Sequence, residues 1–373
     1  MCPQQCIRFE QDEEGFCYPE VNTKECIDCG LCERVCPELH QNEARRPIEV
    51  LAAINKDEDV RMSSGSGGVF TLLANQVIDA GGVVFGVRFD ENWQAVFDCA
   101  ETREQVAAFR GSKYVQARVG NSFVRCKQLL DEGRQVLFSG TPCQIAALHR
   151  FLRKTYDNLL TVDFICHGVP SPKVWERYLD ETVPKGLKTI DDIRFRDKCM
   201  GWKRFSLSID YIEHENAHTL TSPFTENIFM RAFLANLTLR PSCHHCPAKA
   251  GQSRSDITIG DFWGVGQVKP QMDDDRGTSV VMIRTDKGNH ALQRKYLKWD
   301  IANYEVVVKT NTAMETSVKV HPRRDMFFSA IDNCENIQNL VKRCLMPTNL
   351  QKIKILVRKP FCVAKMIFSN VKR

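Results

Sequence analysis

The sequence predicts an α/β fold, α+β overall, in which a small cysteine-rich module precedes an α/β core. Three observations lead there. Four cysteines crowd into residues 26–36 of a short, polar, turn-rich first segment. From Ile48 onward, apolar runs of strand length alternate with stretches whose apolar residues recur at helical spacing. Glycine, proline and serine punctuate the borders between them. A chain of 373 residues with 43% hydrophobic content can bury two or three cores.

The first segment, residues 1–40, is built around Cys26-Ile-Asp-Cys29-Gly-Leu-Cys32-Glu-Arg-Val-Cys36-Pro37. Steps of two, two and three with a closing proline are the bacterial-ferredoxin pattern for iron–sulfur clusters. Short steps let one tight loop wrap a cubane, and Pro37 turns the chain away from it. In two-cluster ferredoxins the fourth cysteine of each run serves the other cluster. Cys2-Pro3 has the form of such an ending, so Cys26, Cys29, Cys32 and Cys2 are expected to complete one 4Fe–4S cluster. Cys36 is then left without its partners. The expectation is a module truncated at its start, or one that has lost its second cluster; alternatively Cys2 frays and Cys36 replaces it. Ile7-Arg8-Phe9 and Cys17-Tyr18-Pro19 predict a small strand pair around Asp12–Gly15. Polar Gln41–Pro47 reads as a linker.

The core opens with a strand at Val50–Ile54. Ser63-Ser-Gly65-Ser-Gly67-Gly68 then leads into a helix carrying Val69, Leu72, Leu73 and Val77. Bare backbone amides at a helix N-terminus suit a pyrophosphate, although a tight turn has the same composition. Gly81-Gly82 ends this helix and Val83–Val87 is a buried strand. Gly111-Ser112-Lys113-Tyr114 offers a cation and a ring for a nucleotide or flavin. Val136–Phe138 is a strand, Ser139–Cys143 the loop after it, and a helix begins near Gln144 with Ile145, Leu148 and Leu152 on one face. Leu160–Ile165 is the next strand, ending at Cys166-His167-Gly168, with Ser171-Pro172 capping the following helix. Cys143 and Cys166 thus both follow carboxyl ends of strands, where open α/β sheets bind ligands.

Later come Cys243-His-His-Cys246, the strand Ile257–Ile259, and Gly260-Asp261-Phe262-Trp263-Gly264. Two strand-end cysteines and one Cys-x-x-Cys supply four thiolates, enough for an inner 4Fe–4S cluster. Zinc on the same four, or with His244 or His245, competes with that reading. So does a redox-active thiol at Cys143.

Charge is unevenly spread. Residues 336–373 hold nine Lys/Arg and no Asp/Glu, leaving the remainder of a +5 chain at −4. This basic tail is expected to be a solvated cationic segment; contact with an acidic partner or an anionic membrane surface is the functional alternative. The excess is too local to indicate nucleic acid. No run of about eighteen apolar residues exists. With no signal peptide at the start, the seventeen cysteines fit a reducing, cytoplasmic setting better than a disulfide framework.

Together these motifs resemble the β-subunit family of coenzyme F420 hydrogenase and dehydrogenase, to which 7-hydroxymethyl chlorophyll a reductase also looks related. The resemblance runs to about residue 330. It rests on Ser66-Gly67-Gly68, Gly111-Ser112-Lys113-Tyr114, Gly140-Thr-Pro-Cys143-Gln, Cys166-His-Gly, Cys243-x-x-Cys246 and Asp256-Ile-Thr-Ile-Gly260-Asp261-Phe262. It implies a flavin-binding α/β core: an FAD-binding region over residues 48–125, held by Ser66, Gly67, Gly68, Ser112, Lys113 and Tyr114. A second domain over 126–335 would carry the inner 4Fe–4S cluster on Cys143, Cys166, Cys243 and Cys246, beside the flavin.

The implied activity is that of an iron–sulfur flavoprotein oxidoreductase. Clusters pass single electrons and a flavin collects two, so FAD links the ferredoxin-type module to coenzyme F420 or another soluble acceptor. Lys113 and His167 are the catalytic candidates. Arg194, Arg196, Lys198, Lys203 and Arg204 around Trp202 offer a seat for an anionic acceptor, or simply a solvated charged strand. A redox partner protein is expected to donate electrons. The alternatives are a non-catalytic electron-transfer subunit of a larger complex and a zinc-stabilised scaffold.

Overall fold

The computed structural model describes residues 2–183 and 189–346. Thirteen strands are assigned among them: β1 (Ile7–Gln11), β2 (Cys17–Val21), β3 (Glu49–Asn55), β4 (Val83–Phe89), β5 (Ala95–Ala100), β6 (Val136–Gly140), β7 (Leu159–Phe164), β8 (Thr189–Asp197), β9 (Ser206–Glu213), β10 (Asn216–Pro223), β11 (Ile257–Asp261), β12 (Ser279–Ile283) and β13 (Leu297–Ile301). Eight form one sheet in the order β13-β3-β12-β11-β7-β6-β4-β5. At its centre β11, β7, β6 and β4 run parallel, as strands joined by helical crossovers must. Antiparallel β12, β3, β13 and β5 extend both edges. The α/β expectation therefore holds, in a mixed sheet.

Side-chain alternation fixes the layers. Leu51, Ala53, Val84, Leu137, Val281 and Ile283 point to one face and pack with Val69, Leu73 and Ala74 of the helix Val69–Asp79. Val83, Phe85, Val136 and Phe138 point to the other, against Ile145, Leu148 and Leu152 of the helix Pro142–Leu152. Burial on both faces explains why β3 and β12 read as unbroken apolar runs rather than alternating ones. A separate three-stranded sheet, β10-β9-β8, packs with the helices Pro172–Thr182, Ile228–Leu234, Arg324–Ala330 and Ile337–Leu345 around Trp175, Phe195, Phe229 and Phe327.

The N-terminal hairpin pairs Ile7 with Val21 through Gln11 with Cys17. Its turn closes through the Asp12 carboxylate, which accepts from Phe16 N at 2.8 Å. The module is docked rather than tethered. Phe16 is fully buried beside Phe328, the Glu14 carboxylate pairs with buried Arg324, and Arg240 donates to Cys17 O at 2.9 Å while lying 3.9 Å over the Tyr18 ring. The 41–47 segment has no regular structure, as expected of a linker, but it too is held: Asn42 Nδ2 donates to Gln252 O at 3.0 Å.

The expected basic tail begins differently. Its first turns, Ile337–Leu345, form a packed helix with Ile337, Leu340, Val341 and Cys344 buried in the core. Residues 347–373, with most of the tail's cations, lie outside the described residues. No helix among the described residues is long and apolar enough to cross a membrane.

Candidate functional site

A cavity of about 740 Å³ opens where the parallel strands end, with Val87 of β4, Ser139 and Gly140 of β6, Phe164 of β7 and Gly260 of β11 in its wall. This is the carboxyl-end crevice where open α/β sheets hold ligands, and its size lies within the range of cofactor sites. Ser64–Ser66 and Gly68 bound one side, and Arg110–Val115 another. The two sequence-predicted loops, more than 40 residues apart, are thus brought to one cavity.

Gly67 and Gly68 do different things. Asn55 N donates to Gly67 O at 2.8 Å and Gly67 N donates to Ser279 Oγ at 2.9 Å, which seats the loop on β3 and β12. A Cβ on Gly67 would lie 2.4 Å from Ala53 O and 2.7 Å from Ser279 N, so its glycine serves loop-to-sheet packing and does not face the cavity. Gly68 sits at φ +81°, the left-handed region, and starts the helix Val69–Asp79. Its face and the first-turn Thr71 do line the cavity, and the fully buried Thr71 hydroxyl has no partner in the structure.

The loop is also clamped from below. Lys198 Nζ donates to Arg61 O and Ser66 O, both at 2.7 Å, and to Arg276 O at 2.8 Å. Arg196, buried in the wall, donates to Asp261 Oδ1 at 2.9 Å, and its guanidinium lies 3.9 Å from the Phe205 ring centre. Trp202 Nε1 shares the same carboxylate oxygen at 2.8 Å, and its ring stacks on Trp263 at 4.9 Å and 7°. The expected cation cluster therefore divides. Arg194 is taken by Asp192 and Asp210, Lys203 pairs with Asp273, and Arg204 with Glu226. Of the five, Arg196 and Lys203 reach the cavity.

Lys113 lines the cavity and donates to Ala108 O and Arg110 O at 2.7 and 2.8 Å. Burial pushes its ammonium down to about 7, against a weaker opposing pull from Asp192. Tyr114 turns its ring into the core, stacked on Phe233 at 4.7 Å. His167 Nε2 is 2.6 Å from Asn236 Oδ1, and burial lowers its pKa, favouring the neutral ring. Arg110, with its Nε buried and unpartnered, joins Lys113, Arg196 and Lys203 on the walls. Asp261 is the one carboxylate among the lining residues, and it is already engaged. The cavity is thus apolar in its depth and cationic at its polar points, which suits a phosphate-bearing ring system. Asp261 belongs to the Gly260-Asp261-Phe262 motif legible in the sequence, whereas Thr71 and Arg110 carry no spacing signal that points to this wall.

At the cavity's inner end, Cys166 is both a wall residue and a member of the cysteine quartet. Cys143 lies in the first turn of the helix Pro142–Leu152, not in the preceding loop, because Pro142 already opens the helix and Gln144 Oε1 caps it by accepting from Thr141 N at 2.8 Å. Cys243 rides on a 3₁₀ turn, Pro241–His245, and Cys246 N donates to Ser317 Oγ at 2.9 Å. The charges of Cys143, Cys243 and Cys246 all bear on Cys166, so the four approach one another. Burial raises the Cys143 and Cys166 thiols and pushes Cys243 up to about 12. Among the described residues no three His, Cys, Asp or Glu side chains converge closely enough for a single metal ion. His244 spends Nδ1 on Val318 O at 2.9 Å and His245 faces solvent. All four candidate ligands are thiols, a donor set common to iron–sulfur clusters and structural zinc.

In the N-terminal module, Cys26, Cys29 and Cys32 are exposed and Cys36 half-buried. The structure adds Cys6, which the spacing argument passed over: it is buried, 3.3 Å from Cys2 Sγ, and within electrostatic range of Cys26. Its signal was available, four residues after Cys2 at the mouth of β1. Arg240 joins this module to the quartet, since its carbonyl accepts from Cys243 N. Glu38, just past Cys36-Pro37, acts electrostatically on both Arg240 and Cys143.

Comparison with known proteins gives two family matches. Residues 50–122 match the N-terminal model of the coenzyme F420 hydrogenase/dehydrogenase beta subunit, and residues 133–313 match the C-terminal model. Among solved structures, the chain is similar to one in the xenon-derivatized F420-reducing NiFe hydrogenase complex from Methanosarcina barkeri. There the identity is 18% and the TM-score 0.46, with 85% of this chain and 94% of that chain covered. No curated protein matches significantly.

Proposed function

Because the chain belongs to the coenzyme F420 hydrogenase/dehydrogenase beta subunit family, we propose that it is an iron–sulfur flavoprotein oxidoreductase. In this reading electrons pass from the ferredoxin-type module through an inner 4Fe–4S cluster to FAD, and on to coenzyme F420 or another soluble acceptor. The observation that carries it is the shared wall: Cys166 belongs to both the thiol quartet and the 740 Å³ cavity. Electron transfer between a cluster and a flavin requires this adjacency.

The residues divide the work. Cys143, Cys166, Cys243 and Cys246 would hold the inner cluster; Cys26, Cys29, Cys32 and a fourth thiolate, Cys2, its neighbour Cys6 or the alternative Cys36, the outer one. Loading deprotonates the thiols, so burial that raises them in the free chain is offset by the metal. FAD, when bound, supplies the exchange between one-electron and two-electron chemistry. Ser66, Gly68 and the helix start at Val69 present backbone amides and the Thr71 hydroxyl to its phosphates. Arg196 and Lys113 add cations there, and Lys198 keeps the loop in place. Ser112 and Tyr114 bound the ring pocket through their loop. His167, neutral and oriented by Asn236, is the group placed to hold or deliver a proton beside Cys166. Among the described residues every cysteine is a free thiol, which suits the reducing cytoplasm.

The test is anaerobic purification with iron, sulfide and flavin analysis. Two clusters, hence roughly eight irons per chain, and released FAD are expected. Dithionite should bleach the flavin, and the reduced protein should pass two electrons to F420 or a soluble surrogate. Zinc without sulfide would refute the cluster assignment. Clusters without flavin, even after reconstitution with FAD, would replace the reductase by a bare electron carrier.

A further inference from the structure

We propose that Cys2 and Cys6 form a reversible disulfide that controls cluster loading on Cys26, Cys29 and Cys32; the loading consequence rests on the cluster reading above. The two sulfurs already touch at 3.3 Å. Backbone geometry puts them there. Gln5 N donates to Cys2 O at 3.1 Å, and Gln5 takes a left-handed φ of 53°, so the Cys2–Gln5 turn folds Cys2 back over the start of β1. Non-glycine residues adopt that conformation only when the surroundings hold them in it. Cys6 is fixed from the other side, because its carbonyl accepts from Asn22 N at 2.8 Å and the Asn22 carbonyl accepts from Cys26 N at 3.1 Å. The pair therefore sits on the same backbone junction that carries the first cysteine of the cluster run.

Exposure sets the order of the chemistry. Cys2 is half-buried and Cys6 is 3% exposed, so a small peroxide reaches Cys2 first. The Cys2 sulfur takes one peroxide oxygen, releasing water and leaving a sulfenic acid. The Cys6 thiol then attacks that sulfur, forming the S–S bond and releasing a second water. In sum, two thiols and one hydrogen peroxide give one disulfide and two waters. Closing the bond from contact to about 2.05 Å needs little movement. A dithiol returns the pair to thiols by exchange. While the disulfide stands, neither sulfur is available as the fourth ligand. Once a cluster is loaded, its ligand sulfur is withdrawn from the peroxide. The pair would thus prevent loading under oxidising conditions and permit it under reducing ones.

The experiment uses the full chain freed of iron by chelation, treated with one equivalent of hydrogen peroxide, then alkylated and digested. A Cys2–Cys6 loop, two hydrogens lighter and unalkylated, is expected in the wild type and absent in Cys6→Ser. Reconstitution with iron and sulfide should then give about half the iron of the untreated chain, restored by dithiothreitol, whereas Cys6→Ser, with no thiol to close the ring, should hold Cys2 as a sulfenic acid that dimedone labels. Absence of the loop, or a loop with undiminished iron uptake, overturns the proposal. The loop is read by mass whether or not clusters load. A reduced wild type that takes up no iron is therefore a separate result, against the cluster reading.

Discussion

Replacing Lys198 by Met tests the loop-clamp argument most directly. The side chain keeps its length but loses three donors, at 2.7, 2.7 and 2.8 Å from the carbonyls of Arg61, Ser66 and Arg276. The bond to Arg61 O is fully buried, and stranding that carbonyl costs about 1–3 kcal/mol. The other two lie nearer the surface where water can replace the amine, at about 0.5–1.5 kcal/mol each. A loss of about 2–6 kcal/mol follows. The fold should survive, because Ser66 Oγ still donates to Thr278 O and Gly67 N to Ser279 Oγ. Since the loosened segment is the cavity wall, about 1.4 kcal/mol of this, a factor of ten in affinity, should appear in flavin binding. Denaturant unfolding should show a lower midpoint at unchanged slope, and fluorescence titration should show the weaker binding. Lys198→Arg should not rescue it, because a larger planar head has to enter where Gly277 already approaches. Lys56→Met, an exposed lysine with one carbonyl partner, is the control and should shift stability by no more than about 0.5 kcal/mol. If Lys198→Met matched the control in both midpoint and affinity, the clamp would be ornamental and the reasoning wrong.

Three further outcomes are expected. Serine at Cys143, Cys166, Cys243 or Cys246 should remove about half the iron and lower stability; Cys143→Ser that abolished activity at full iron content would instead mark a redox thiol. Gly67→Val and Gly68→Val should both destabilise the fold by about 1–3 kcal/mol, the first because it meets Ala53 O and Ser279 N and the second because a β-branched residue is strained at φ +81°; only Gly68→Val, at the cavity wall, should also lower the FAD-to-protein ratio of the soluble material. Lys113 is cationic below its lowered value of about 7 and neutral above it, so FAD affinity should fall as pH rises through 7; Lys113→Met should flatten that profile, and an unchanged profile would remove Lys113 from the phosphate site.

What the sequence determined by itself is what short-range chemistry encodes. The cysteine run at 26–36, the hairpin around Asp12–Gly15, the glycine loop opening the helix at Val69, and the strand ends before Cys143 and Cys166 are all legible because spacing, turn residues and apolar periodicity act over a few residues. The family followed from those motifs in order. Tertiary structure alone decided the rest. Hydrogen bonding across distant segments set the strand order, and only that order brings β4, β6, β7 and β11 to one crevice. Charge runs say nothing about partners, so the segment from Arg194 to Arg204 could not reveal that Lys198 clamps backbone while Arg196 faces the cavity. The Gly-Gly pair looked like one phosphate device, yet backbone packing gave Gly67 to the sheet and Gly68 to the site. Cys6 sits against Cys2 because one left-handed residue closes a turn, and backbone dihedrals of that kind are fixed by the folded surroundings rather than by residue type.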